Sequence, residues 1–186
     1  KGFYVDVGAF HTYNSSNTFL LYREGWRGIN IDARIGSMKL FNKLRPRDIN
    51  LEIGIAETPK ILPFYFIEEN SIMNSFSESF LKDHGIKNYL TIPTKVMPLK
   101  DVLELQNVTE IDFMNIDVEG YDFHVVKSND WNKYRPKIVI VEMNCKNISD
   151  AKENPTSQFM KEVGYEIIAK NIINSNLASV FFQQER

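Results

Sequence analysis

The sequence is poor in the residues that several common kinds of site require. It contains one cysteine, Cys145, and three histidines, so no disulfide can form within the chain and no cysteine–histidine cluster has the spacing of a zinc site. A single cysteine fits a reducing compartment, and we therefore expect a cytoplasmic location. No apolar run approaches the roughly 20 residues of a membrane-spanning helix, so we expect no membrane span.

Neither sign of charge is in excess. The chain has 22 Lys and Arg residues against 24 Asp and Glu residues, for a net charge of −2, which gives no reason to propose nucleic acid or an anionic membrane as a partner. With 186 residues, 43% of them hydrophobic, we expect a single domain over residues 1–186. The chain begins without methionine, almost directly in a predicted strand, so we expect the natural protein to carry a further N-terminal segment. No pattern predicts an oligomeric state.

Residues 1–34 are the most informative stretch and predict a strand–loop–helix–strand unit. Its predicted elements are a strand (3–7), a polar loop (8–16), a helix (17–24) and a second strand (28–31). Asp32 follows the second strand, 24 positions after Gly8, near the roughly 20 residues between a nucleotide-binding loop and its ribose-binding acid. We interpret Asp32 as an acid that binds ribose hydroxyls, with a solvated strand-end aspartate as the alternative. Asp6, within a buried strand, requires donors from the loop or from a ligand.

Glycine is scarce in the loop that follows the first strand. A nicotinamide cofactor requires the pattern G-x-G-x-x-G, whose glycines let the backbone approach the pyrophosphate. Here Gly8 is followed by Ala9, Phe10 and His11, so bulky side chains stand where a diphosphate would lie. This favours a cofactor without phosphate, such as S-adenosylmethionine. His11 is interpreted as a residue that orients the substrate or acts as a base, with an ordinary surface histidine as the alternative.

Strands and helices alternate through the rest of the chain, which predicts a doubly wound, mostly parallel α/β sheet. Further strands are predicted at 51–55, 111–118 and 137–141, an antiparallel excursion at 60–67, an edge strand at 92–97, and a closing antiparallel hairpin from 165–169 and 180–183. Helices are predicted at 35–44, 77–84, 99–105, 121–128 and 156–163, and a loop over the site at 70–76. Three strands place carboxylates at their carboxyl ends, Asp6, Asp32 and Asp117, where ligands of such sheets bind.

Asp117 and Glu119 lie in the sequence D-V-E-G at the end of the strand predicted at 111–118. Asp117 is interpreted as a general base, a metal ligand or an acid that anchors the methyl donor, and the alternative is a residue that only caps the next helix. Two acids are too few ligands to predict a metal site, although they leave Mg²⁺ open.

Residues 5–33, 96–105 and 111–142 together resemble the FkbM-type methyltransferases, a family of S-adenosylmethionine-dependent O-methyltransferases. The resemblance rests on D-V-G-A, S-N-T, G-W-R-G and I-D-V-E-G in this order. It implies the class I methyltransferase fold, a Rossmann-like three-layer α/β sandwich with a mostly parallel seven-stranded sheet and one antiparallel strand.

The resemblance also implies the roles of individual residues. Those expected to bind S-adenosylmethionine are Asp6, Gly8, Ala9, Phe10, Ser16, Asn17, Thr18, Asp32, Ala33, Ala56, Glu57 and Asp117. Asp117, Glu119 and His11 are expected to take part in catalysis. Ala56 and Glu57 would lie near the adenine, although Glu57 stands where this class often has an aspartate.

The expected activity is methyl transfer from S-adenosylmethionine to a hydroxyl of a small molecule or sugar, as in polysaccharide or secondary-metabolite biosynthesis. Two alternatives stay open. One is a nucleotide-dependent oxidoreductase on the same kind of sheet, which the missing glycines oppose. The other is a non-catalytic module that binds an adenosyl ligand.

Overall fold

The computed structural model describes residues 1–185, which contain ten strands and seven helices. The strands are β1 (Phe3–Val7), β2 (Arg27–Asp32), β3 (Ile49–Glu52), β4 (Gly54–Ile55), β5 (Lys60–Phe66), β6 (Leu90–Met97), β7 (Phe113–Ile116), β8 (Ile138–Asn144), β9 (Tyr165–Ile172) and β10 (Leu177–Gln184). The helices are α1 (Phe19–Arg23), α2 (Met38–Leu44), α3 (Glu78–Asp83), α4 (Leu99–Leu105), α5 (Asp122–Lys127), α6 (Ile148–Glu153) and α7 (Pro155–Glu162).

Seven strands form the main sheet in the order β3-β2-β1-β7-β8-β10-β9. The five strands from β3 to β8 in this order run parallel to their neighbours, whereas β10 is antiparallel to both β8 and β9. This arrangement confirms the predicted mostly parallel sheet with one antiparallel strand. It also confirms the closing hairpin, because β9 and β10 are consecutive in the chain and pair with each other.

The two faces of the main sheet are covered differently. Val5 and Val7 of β1 project to one face and belong to the large core cluster, which also contains buried residues of α4, α5 and α7. Alternation along the strand places Tyr4 and Asp6 on the opposite face, where α1 and α2 lie beside the sheet. Helices on both faces explain why the strands are nearly uniformly buried.

A row of polar side chains crosses the face that carries Asp6. Asp6 is in register with Asn30 of β2 and Asn115 of β7, and Asn30 is in register with Asn50 of β3. Asn115 donates to Asp6 Oδ1 at 3.0 Å, and Asn30 donates to Asn50 Oδ1 at 2.8 Å. Because these groups satisfy one another, the sheet tolerates them in its interior.

A second sheet of three strands, in the order β4-β6-β5, is inserted between β3 and α4. The single strand predicted at 51–55 is in fact two, because the chain leaves the main sheet at Ile53 and β4 pairs with β6 instead. The antiparallel excursion is confirmed, since β5 pairs antiparallel with β6. The prediction that β6 is an edge strand was wrong. Pro93 is nevertheless tolerated, because β4 pairs only with the last two residues of β6.

Helix α6 was not predicted from the sequence. It is one of the short helices, and Asn147 caps it by accepting hydrogen bonds from the backbone N–H groups of Ser149 and Asp150, at 2.8 and 3.0 Å. Ala151 is its buried residue, so no apolar periodicity marks the helix in the sequence. Within residues 1–185, no helix combines the length and the apolar composition that crossing a membrane would require.

Candidate active site

A cavity of about 300 Å³ lies at the carboxyl ends of β1, β2, β7 and β8. This is where parallel α/β sheets bind their ligands, at the point where strand order reverses; here that point lies between β1 and β7. The inserted sheet and its loop add a roof, which includes Phe64, Ser75 and Phe76. The predicted site residues that line the cavity are Asp6, Gly8, Ala9, Phe10, Asn17, Asp32, Ala33, Asp117 and Glu119.

Gly8 sits where the end of β1 meets the end of β7. Its φ is +85°, and its N–H donates to the carbonyl oxygen of Ile31 at 2.9 Å. A Cβ at this position would lie 1.7 Å from the carbonyl oxygen of Asp117, which no rearrangement of a side chain could relieve. Only glycine therefore fits, because both the backbone conformation and the close approach exclude a side chain.

Asp6 is buried beneath the loop that follows Gly8, and both of its oxygens accept hydrogen bonds. Thr18 Oγ1 donates to Oδ2 at 2.6 Å, and Asn115 Nδ2 donates to Oδ1 at 3.0 Å. Burial raises the pKa of Asp6, and these two hydrogen bonds oppose that rise. Asn115 in turn accepts from Asn17 Nδ2 at 3.0 Å, so the polar row of the sheet continues into the cavity wall.

Arg45 organises this loop from behind, a role that was not predicted from the sequence. The side chain is 1% exposed, at the end of α2. Its guanidinium donates to the carbonyl oxygen of Thr12 at 2.9 Å from Nε, to Thr18 Oγ1 at 2.8 Å and to Ser16 Oγ at 2.7 Å. Ser16 and Thr18 therefore lie behind the loop, where they contact Arg45, and are not among the residues that line the cavity.

Asp32 lies at the end of β2 and faces the cavity. Its Oδ2 accepts from the N–H of Phe10 at 3.0 Å, and its Oδ1 accepts from the N–H of Arg34 at 2.8 Å. Burial raises the pKa of Asp32, and the Arg34 guanidinium, 3.6 Å away, opposes the rise. Each oxygen keeps one free lone pair, so Asp32 could still accept hydrogen bonds from two neighbouring hydroxyls.

Three carboxyl groups meet on the other side of the cavity: Asp117, Glu119 and Glu142. One oxygen of each lies within 4.8 Å of the others. Burial raises the pKa of Asp117 to about 6, that of Glu119 to about 8 and that of Glu142 to about 9. Nearby acids add to each rise: Asp6 for Asp117, and Asp117 and Asp122 for both glutamates. None of the three side chains makes a hydrogen bond or an ion pair with any residue from 1 to 185.

The turn that carries Glu119 is held from both sides. Asp122 accepts hydrogen bonds from the N–H groups of Val118 at 2.9 Å and Gly120 at 3.0 Å. Burial raises the pKa of Asp122 to about 7. Ser75 Oγ, from the inserted loop, donates to the carbonyl oxygen of Glu119 at 2.7 Å. Glu119 has a φ of +55°, an uncommon conformation for a residue with a side chain.

His11, Ala56 and Glu57 are predicted site residues that the structure places away from the cavity lining. His11 Nδ1 accepts from the N–H of Asn14 at 3.2 Å, so its ring is engaged within its own loop. Ala56 is fully buried beneath the chain. Glu57 points to the surface, where Lys127 Nζ lies 2.8 Å away and lowers its pKa. Residues 53–55 line the cavity instead, because the main sheet ends before the predicted strand does.

Two charged residues of the cavity wall were not predicted, Arg34 and Glu142. Glu142 interrupts the β-branched run of β8 as its one charged residue, a signal that marks a buried acid but not its partners. Arg34 lies two positions after Asp32 and donates to the carbonyl oxygen of Phe10 at 2.6 Å. Only the folded loop brings Arg34 and Phe10 together.

The sheet order and the position of the cavity define a protein with the class I methyltransferase fold. The chain belongs to the family described as the methyltransferase FkbM domain, which matches residues 6–167. This confirms the resemblance found in the sequence. A search among curated proteins gives no match.

Two solved structures share the fold. The methyltransferase FkbM from Methylobacillus flagellatus KT superimposes with a TM-score of 0.59 at 11% identity, over 98% of this chain and 43% of its own. The fibrillarin pre-rRNA processing protein of Methanococcus jannaschii superimposes with a TM-score of 0.53 at 10% identity, over 100% of this chain and 67% of its own. The chain thus spans less than half of the length of the first, and at such identities the likeness shows the fold alone.

Proposed function

We propose that this chain transfers a methyl group from S-adenosylmethionine to a hydroxyl of a small molecule or a sugar. The family and the fold support methyl transfer, and the charge of the cavity carries the choice of cofactor. We propose in addition that residues 1–186 act as one domain, and that the protein, with its single buried thiol at Cys145, works in the cytoplasm.

The cavity wall in the described part of the chain carries five carboxyl groups against one guanidinium. The acids are Asp6, Asp32, Asp117, Glu119 and Glu142, and the one basic residue is Arg34. Asp117 is ionised at pH 7, whereas Glu119 and Glu142 hold protons unless a cation lies beside them. A sulfonium or an ammonium group would favour the ionised form of these acids, whereas a pyrophosphate would meet the charge of Asp117 with one guanidinium to oppose it. This observation favours S-adenosylmethionine over a dinucleotide.

The residues on the wall fit S-adenosylmethionine group by group. Asp32 keeps a free lone pair on each oxygen for the two ribose hydroxyls. Ala33, Ile53 and Ile55 offer apolar surface, which suits one face of an adenine ring. The bare backbone at Gly8 permits close approach of the methionine part, beside the acids that would balance its positive charge.

When bound, S-adenosylmethionine supplies an electrophilic methyl group on a positively charged sulfur. We assign Asp117 to accept the proton of the acceptor hydroxyl as the new oxygen–carbon bond forms. A pKa of about 6 leaves Asp117 ionised at pH 7 and still able to take up a proton. Glu119, with a pKa of about 8, would keep its proton when no cation lies beside it and would then donate a hydrogen bond that orients the acceptor oxygen.

The roof of the cavity gives a reason to expect a compact organic acceptor. The ring centroids of Phe64 and Phe76 lie 4.9 Å apart, and those of Phe76 and Tyr121 lie 5.7 Å apart. These rings form a continuous apolar wall above the acids, of the kind that encloses small ligands. The choice of a sugar hydroxyl rests on the family resemblance and not on this wall.

Calorimetric titration of the purified chain with S-adenosylmethionine, S-adenosylhomocysteine and NADH tests the cofactor. We expect both adenosyl compounds to bind and NADH to give no heat. Asp32→Asn should weaken binding about tenfold, the loss of roughly one hydrogen bond to a charged group. Asp83→Asn, an exposed aspartate at the end of α3, is the matched control and should bind as the parent does.

The role of Asp117 is tested separately from binding. Asp117→Asn should abolish methyl transfer to a panel of sugars and small alcohols while leaving S-adenosylhomocysteine affinity within about threefold. Unchanged turnover would remove Asp117 from the role of base. Binding of NADH in place of the adenosyl compounds would overturn the proposal as a whole.

A further inference from the structure

The structure adds a third acid to the pair that the sequence places together. Asp117 and Glu119 end one strand, and Glu142 reaches them from the neighbouring strand β8. One oxygen of each carboxyl group lies within 4.8 Å of the others, in a group that could hold a cation. Two acids separated by one residue are common on protein surfaces, whereas three acids from two strands of a buried sheet require a reason.

Glu142 supplies an independent reason, because it is buried and has no partner. The residue is 7% exposed, and the part of it that is accessible lines the cavity. Its carboxyl group forms no hydrogen bond and no ion pair within residues 1–185. Burial of an unpaired carboxylate costs several kcal/mol, so Glu142 either keeps its proton or meets a positive charge brought by a ligand of the cavity.

The protein itself does not supply the positive charge. In the part of the chain that the structure describes, Arg34 is the one basic side chain on the cavity wall. Its guanidinium lies 3.6 Å from Asp32 Oδ2 and donates to the carbonyl oxygen of Phe10 at 2.6 Å. It therefore belongs to the opposite side of the cavity, and any positive charge beside the three acids has to come with a bound ligand.

The spacing of the oxygens suits a hard divalent cation. Neighbouring ligands of an octahedral Mg²⁺ lie about 3.0 Å apart, and opposite ligands about 4.2 Å apart. Three carboxyl oxygens that lie within 4.8 Å of one another are therefore close to the spacing that one such ion requires. Three carboxylates leave coordination positions open on the cavity side, where water and an acceptor oxygen can bind.

We propose that Asp117, Glu119 and Glu142 form a binding site for a hard divalent cation such as Mg²⁺ or Mn²⁺. The cation supplies the positive charge that balances three carboxylates brought this close together. In a role that rests on the proposed methyl transfer, it coordinates the acceptor hydroxyl through an open position and holds that oxygen beside Asp117.

The site is tested by Mn²⁺ binding, which needs no substrate. The decrease of the free Mn²⁺ signal in electron paramagnetic resonance measures binding to the metal-free chain, and calorimetry repeats it with Mg²⁺. We expect one Mn²⁺ per chain. Glu142→Gln should weaken its affinity at least about tenfold. Glu110→Gln, which changes an exposed glutamate in the loop before β7, is the matched control and should leave the affinity unchanged.

S-adenosylhomocysteine binding to the same variants separates this proposal from the proposed function. Retention of adenosyl binding by Glu142→Gln, together with an unchanged circular dichroism spectrum, shows that the variant is folded. Failure of Mn²⁺ to bind at millimolar concentration, or equal binding by Glu142→Gln, overturns the cation site. Mutual exclusion of Mn²⁺ and S-adenosylhomocysteine also overturns it, because the acids would then hold the cofactor's ammonium group. Mn²⁺ binding without adenosyl binding instead leaves the site standing and removes the proposed function.

Discussion

The two sides of the cavity treat their acids in opposite ways. On the side of β1 and β2, every oxygen of Asp6 and Asp32 accepts a hydrogen bond from the protein. On the side of β7 and β8, the carboxyl groups of Glu119 and Glu142 accept none from residues 1–185. The acids on the side of β1 and β2 are thus hydrogen-bonded within the protein, whereas those on the side of β7 and β8 are available to a bound ligand.

This difference separates what the acids do for folding from what they do for ligands. A satisfied buried acid such as Asp6 fixes the loop above it, and its removal leaves donors unpaired. An unsatisfied buried acid such as Glu142 opposes folding, and its removal relieves repulsion. The same substitution, an acid to its amide, should therefore have opposite effects on stability at the two sides of the cavity.

The largest expected effect lies on the satisfied side. Arg45→Met should lower the free energy of unfolding by about 3–5 kcal/mol, because the buried acceptors Thr12 O, Ser16 Oγ and Thr18 Oγ1 lose their shared donor. Urea denaturation measures the change. Arg47→Met, two positions along the chain and exposed, should cost less than about 0.5 kcal/mol. Equal losses would mean that Arg45 does not hold the loop.

The junction between the two sides should be the next most sensitive place. Gly8→Ala should cost about 3 kcal/mol, since it combines a disfavoured positive φ with a clash against the carbonyl oxygen of Asp117. Gly85 has a φ of +69°, and a Cβ added there would meet nothing within 4 Å. Gly85→Ala therefore isolates the backbone cost of about 1 kcal/mol. Thermal unfolding of both variants gives the difference. A Gly8→Ala protein as stable as Gly85→Ala would show that β1 and β7 do not approach so closely.

The unpaired acid Glu142, on the side of β7 and β8, should make the stability of the protein depend on pH. Burial raises the pKa of Glu142 from 4.5 to about 9, so between these values the folded chain holds a proton that the unfolded chain has released. In a chelator, stability should therefore fall as pH rises from about 4.5 to about 9. Glu142→Gln should flatten this fall and raise stability at pH 8. A parent protein whose stability rises over this window would contradict the unpaired state of the acid.

The smallest expected effect concerns Glu57, which the sequence placed near the adenine. Its carboxylate is exposed and paired with Lys127 at 2.8 Å, on the outside of the molecule. Glu57→Gln should change the affinity for S-adenosylhomocysteine by less than about twofold and stability by less than about 0.5 kcal/mol. Calorimetry and thermal unfolding measure both. A clear loss of affinity would show that Glu57 contacts the cofactor.

Much of the fold could be predicted from the sequence because local patterns dominate there. The β-branched run of β8 and the capped helix α7 have strong periodicity, and the bounds of β1 were predicted without error. The predicted strand at 51–55 failed because nothing local distinguishes a residue in the main sheet from one in the inserted sheet. That choice is made at Ile53 by pairing with strands that lie far away in the sequence.

From the sequence, only those site residues that lie at the ends of strands could be predicted. Asp6, Asp32 and Asp117 follow from their positions at the ends of strands, because the carboxyl ends of parallel strands meet at one edge. Arg45 and Glu142 could not be placed, since each acts through residues on other elements. A buried arginine after a helix and an acid within an apolar strand are visible in sequence, but their partners are a property of the packed sheet.

Polar contacts join the inserted sheet and its loop to both sides of the cavity. Ser75 donates to the carbonyl oxygen of Glu119, and the Arg34 guanidinium donates to the carbonyl oxygen of Glu69. The loop over Asp6 and Asp32 is held separately, by Arg45 from behind and by its hydrogen bonds to Asp6 and Asp32. Under the proposed function, a substitution in the roof that spares Ser75 and the Glu69 carbonyl should therefore change which acceptor fits while leaving the polar row of the sheet in place.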